Sequence, residues 1–170
     1  MSEATDAGRY LAIYLNDHLA GATVGVELAR RLAAGNQEIE ALAPTLRQVA
    51  AEIEADRETL EGVLDRLGVS RSPVKQHAAW LLERLGRLKP NGHLRGYSPL
   101  SRVLELEGLS MGIVGKTELW RTLSGLGLDQ RAGVGFEALA GRAEEQHRAI
   151  ADLHPFAVAV LGSPAAETLR

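Results

Sequence analysis

The sequence predicts an all-α fold, a bundle of four long helices. Ala and Leu dominate the chain, aromatic residues make up only 4% of it, and apolar residues recur at helical spacing through four long stretches. A chain of 170 residues is long enough for one core and short for two. Residues 1–170 are therefore expected to form a single domain, with 164–170 as a loose tail.

The first helix is expected from about Asp6 or Ala7 to Ala34. Leu11, Leu15, Ala22, Val26, Ala29 and Leu32 supply its periodicity, and Gly35-Asn36 reads as a left-handed stop. The second runs from near Pro44-Thr45 to Leu67 on the stripe Leu46, Val49, Ile53, Leu60, Val63 and Leu67, and Gly68 closes it. Ser72-Pro73 reads as an N-cap followed by proline at the first helical position, opening a shorter helix over 74–88 around Trp80. Lys89-Pro90-Asn91-Gly92 ends it. Ser98-Pro99 repeats the start signal for a third long helix through Leu100, Val103, Leu104, Met111 and Val114, which fades at Gly125 and Gly127. The last long helix spans about Phe136 to Val160, and Gly162-Ser163-Pro164 ends it. Two helical hairpins joined by a crossover of roughly thirty residues follow from these lengths.

A net charge of −3 gives no general attraction to nucleic acid or anionic membrane. The absence of cysteine removes disulfides, thiolate nucleophiles and cysteine-held metals. The polar, acidic start Met-Ser-Glu-Ala-Thr-Asp is unlike a secretory signal, and the longest apolar stretch, Leu19 to Ala29, is flanked by charges. A cytoplasmic location is the expectation.

Glu144-Glu145-Gln146-His147 is the most specific chemical signal. Glu144 and His147, at i and i+3, share one helical face and can offer a carboxylate and an imidazole to the same ion. With the order of elements, this motif makes the chain resemble the ferritin-like superfamily over nearly its whole length. The resemblance implies iron or manganese held inside the bundle by a Glu on the first helix, Glu-x-x-His on the second, a Glu on the third and Glu-x-x-His on the fourth. Carried onto this chain, the fourth-helix motif falls on Glu144 and His147, the third-helix carboxylate on Glu107 or Glu105, and the first-helix carboxylate on Glu27. The second helix departs from the pattern, since it holds no histidine. There Asp56 falls in the apolar stripe, between Ile53 and Leu60. The expected inward polar set is His18, Asp56, Glu107, Glu144 and His147, with Glu27 at an edge. Three readings of that set stand open: a metal site, a metal-free polar network, and exposure to water.

Gly21 and Gly25 on the first helix, with Gly108, Gly112 and Gly115 on the third, clear one face of each helix. The expectation is a close contact between those helices that leaves little room for ions. Ser110 to Thr117 comes within one residue of a phosphate-binding loop but lacks its leading glycine and a preceding strand. Lys75, His77, Arg84, Arg87, Lys89, His93 and Arg95 make the crossover basic, as a solvated connector would be. Trp80 and Trp120 read as packing anchors, and the triple Ser110, His147 and Asp56 has no local feature that activates the serine.

The functional expectation is a non-catalytic bundle, homodimeric or binding a protein partner, that has lost a complete di-metal centre. The alternative is an iron- or manganese-binding metalloprotein with oxidoreductase chemistry.

Overall fold

A computed structural model describes residues 2–71 and 97–163, and every regular element among them is helical. The order is α1 (Ser2–Gly35), α2 (Ala43–Leu67), α3 (Pro99–Gly125), α4 (Asp129–Ala132) and α5 (Phe136–Leu161). The shorter helix expected over 74–88, the basic run of the crossover and the tail at 164–170 lie outside the described residues. Among the described residues no helix is long and apolar enough to cross a membrane.

Local chemistry explains most of the boundaries. Pro44 occupies the first turn of α2, where a missing N–H costs nothing. Gly68 ends that helix at φ 70°, with its N–H on Asp65 O, while Val69 N–H reaches Leu64 O at 2.9 Å. Ser98 caps α3 by accepting from Ser101 N–H at 3.0 Å, and Pro99 follows it. The one-turn α4 was not foreseen. Gly133 stops it at φ 61°, and the Asp129 carboxylate accepts from Phe136 N–H at 3.0 Å, satisfying a free donor at the start of α5.

The stop expected at Gly35-Asn36 is of a different kind. The positive-φ glycines among the described residues are Gly68, Gly127 and Gly133, so Gly35 is not left-handed. Asn36 ends α1 instead: its side chain donates to Leu32 O at 2.7 Å. Gly35 is there for space, because a methyl group on it would stand 2.6 Å from Cδ2 of Tyr97.

Helix α1 packs on α2, and α3 packs still more extensively on α5; α1 then meets α3, and α2 meets α4 and α5. The core between them holds Leu15, Leu32, Leu46, Leu64, Leu106 and Leu123, all fully buried. Trp120 of α3 stacks on Phe136 of α5 with ring centres 5.9 Å apart. Two large flat rings at one place fix the α3–α5 pair far more firmly than aliphatic contacts of equal number.

The end of α1 is clasped to the start of α3 by polar groups. Buried Arg102 donates to Asn36 Oδ1 at 2.5 Å and lies over the Tyr97 ring at 5.5 Å. Buried Glu105 accepts from the Tyr97 hydroxyl at 2.7 Å and pairs with Arg31 at 2.6 Å. Burial, then the hydrogen bond to Glu105, holds the Tyr97 hydroxyl well above its ordinary pKa. The next contact along is Leu28 against Gly108.

Gly35→Ala pushes a methyl group into a ring that is itself held in place, so it is expected to destabilise the fold by about 1–3 kcal/mol. Gly25→Ala, with nothing within 4 Å of the added carbon, is expected to stabilise it by about 1 kcal/mol, as alanine does over glycine inside a helix. Urea unfolding of the two variants tests both signs at once.

Candidate functional site

Beyond Leu28 and Gly108 the first and third helices part. Among the described residues, methyl groups built on Gly21, Gly25, Gly112 and Gly115 meet nothing within 4 Å. The close glycine contact expected from the sequence is therefore absent, and the cleared faces border open space. They line a cleft of about 880 Å³ between α1, α2 and α3. The reason is geometric: the clasp brings the helices together at one end, and no large side chain bridges them where the glycines lie.

Leu28, Ile53, Leu60, Leu109, Ile113 and Trp120 make most of the wall apolar. Tyr14 and His18 close one side, their rings edge to face at 4.5 Å. The polar lining comes from Asp17, His18, Asp56, Arg57 and Lys116. Arg57 is held by Glu61 one turn along α2.

The floor of the cleft is a charged cluster. Asp56, only 2% exposed, accepts from Lys116 of α3 at 2.5 Å, from Arg142 of α5 and from the Gln146 amide at 3.2 Å. Lys116 also donates to Gln146 Oε1. Two cations thus surround one buried carboxylate. Burial pulls the Lys116 ammonium below its ordinary pKa, and the adjacent Asp56 carboxylate partly restores it. Two buried donors, Trp120 Nε1 and Arg142 Nε, have no hydrogen-bond acceptor among the described residues.

The six residues predicted as metal ligands do not converge. Glu107 is exposed on α3 and pairs with His154 at 3.2 Å rather than facing inward. Glu144 is exposed on α5 and pairs with Arg121 at 2.5 Å. His147 is half-buried, Glu27 is an exposed partner of Arg30, and His18 lies on the cleft wall beside Tyr14. Asp56 alone of the set is fully buried, and its oxygens are taken by cations. Among the described residues no group of three or more His, Asp or Glu is placed to hold an ion. The set does not fit a di-metal centre, because Lys116 and Arg142 stand where positive metal would have to be.

The phase errors have a simple origin. Helix α3 is apolar on several faces, so Met111 and Val114 were placed in its inner stripe, yet they are 71% and 46% exposed. The buried run is Val103, Leu106, Leu109, Ile113, Trp120 and Leu123, which turns Glu105 inward and Glu107 outward. On α5 the buried run Ala140, Ala143, Gln146, Ile150 turns Gln146 inward, the residue that stands between Glu145 and His147 in the motif. Lys116, part of the sequence that resembles a phosphate-binding loop, lies mid-helix, and Thr117 donates to Ile113 O at 3.1 Å as an ordinary helical residue. The spacing of Arg142 and Gln146 at i and i+4 was the available signal for the rest of the cluster.

No protein-family model, no curated protein and no solved structure matches the chain.

Asp56→Ala leaves Lys116 and Arg142 without their counter-charge. A loss of about 3 kcal/mol is expected, toward the low end for a broken buried pair because Arg142 can turn to water. Adding Lys116→Met should recover part of that loss in a double-mutant cycle.

Burial, opposed by Asp17, keeps the His18 pKa below the ordinary 6.5. The unfolded chain takes up this proton first, so stability falls as pH drops through 6.5 and the loss is complete below the folded-state pKa. His18→Gln is expected to flatten the stability profile over that window in denaturant titrations.

Proposed function

We propose that the protein is a non-catalytic binding module of ferritin-like architecture whose working surface is the cleft between α1, α2 and α3. The observation that carries this is the glycine-cleared, mainly apolar space of about 880 Å³, within the size range of small-molecule sites. Five helix-interior glycines on its two walls each weaken their helix, a cost that open space for an occupant would offset.

Support for the ferritin-like arrangement comes from the α1–α2 and α3–α5 hairpins and the long connection between α2 and α3. A homodimer remains part of the proposal on the ground of α1, which leaves Tyr10 and Ile13 exposed in addition to the faces it buries. The iron or manganese reading is the weaker one, since the inward carboxylate is already matched by two cations.

Nile red, a neutral apolar dye, is expected to bind the purified full chain saturably, with Gly112→Leu and Gly21→Leu each weakening it by about fivefold or more by filling the space. Unsaturable binding, or unchanged affinity in both variants, overturns the reading. Sedimentation velocity on the same proteins separates the occupants: a dimer that both substitutions abolish would put a second copy in the cleft.

A further inference from the structure

The charge at the floor of the cleft specifies more than an apolar occupant. Lys116 lines the cleft, and its side chain is only 14% exposed. An ammonium has three N–H donors; Asp56 and Gln146 accept two of them, which leaves one without an acceptor among the described residues. The cluster of Asp56, Lys116 and Arg142 carries one more positive than negative charge. Glu52 has a smaller influence on Lys116 than Asp56 has, and Asp17 belongs to the exposed rim on α1, where water screens it.

The rest of the wall is mainly apolar, with Leu28, Ile53, Leu60, Leu109 and Ile113 along it. The cleft therefore offers one unmatched donor and surplus positive charge at one place, and hydrocarbon elsewhere.

Resting on the binding reading above, we propose that the cleft takes a single-chain anionic amphiphile, a long-chain alkyl carboxylate. Its carboxylate accepts the free N–H of Lys116, and its chain lies along the glycine faces of α1 and α3. The glycines suit a chain, because an extended alkyl group needs a long smooth channel rather than a deep pocket. An acceptor in this low-dielectric position meets a charge-assisted donor, the strongest kind of hydrogen bond available in the cleft.

Decanoate, decan-1-ol and decyltrimethylammonium, each below its micelle concentration, provide the test by isothermal titration calorimetry on the full chain. Decanoate is expected to bind one site at least about tenfold tighter than decan-1-ol, as a hydrogen bond to a charged group implies. The cationic amphiphile should be the weakest. Lys116→Met is expected to bring decanoate and decan-1-ol within about twofold of each other. Circular dichroism and urea unfolding report that the variant is folded, and Lys116→Arg should restore the preference. Equal binding of acid and alcohol by the native chain, or a preference that survives Lys116→Met, overturns the anionic assignment and leaves the binding reading standing. Failure of all three to bind overturns both.

Discussion

A carboxylate buried between helices has to be answered by cations, and Asp56 imposes that condition on the bundle. It stands on α2 in the apolar run between Ile53 and Leu60, and the helices that face it supply Lys116, Arg142 and Gln146. Three helices are thereby tied at one point. Hydrophobic contacts tolerate sliding and rotation, whereas a charged group with directed partners tolerates little. The cluster fixes the rotation of α2, α3 and α5 about their axes, and so decides which face of α3 looks toward α1. That face is the glycine face. The charged floor and the open cleft are two results of one placement.

The helices were legible from the sequence because their signals are local. Ser98-Pro99, Pro44 and Gly68 each mark a boundary through backbone chemistry that acts within a turn. Rotation about a helix axis was less legible, because it is set by partners distant in the chain. Asp56 is inward in a helix with one clear stripe, while Glu107 and Glu144 lie on helices whose small and apolar residues occupy several faces. Alanine and glycine report weakly on direction, being tolerated both inside and outside a helical bundle. The Glu-x-x-His spacing held real information about α5 being a helix and much less about where that helix faces.

The glycines show a related ambiguity. A cleared helix face permits close approach of a neighbouring backbone, and it equally permits a gap. What separates the two outcomes here is the polar clasp of Asn36, Tyr97, Arg102 and Glu105, which holds the end of α1 against the start of α3. Each of those residues is unremarkable alone, and their meeting depends on a chain reversal across more than sixty positions. Gly35 is the exception that makes the point, being a glycine whose missing side chain is required by a ring pressed against it.

The clasp also sets the mechanics of the cleft. Helices joined at one end and parted at the other form a pair of arms, and the distance along α1 from Leu28 to Tyr14 is about 21 Å at the usual helical rise. A tilt of about 5° about the clasp would move the far end by roughly 2 Å. Because the Asp56 cluster holds α2 to α3 and α5, α1 can swing in this way only by repacking its contact with α2, so the width of the cleft is set by the α1–α2 seam as much as by the clasp.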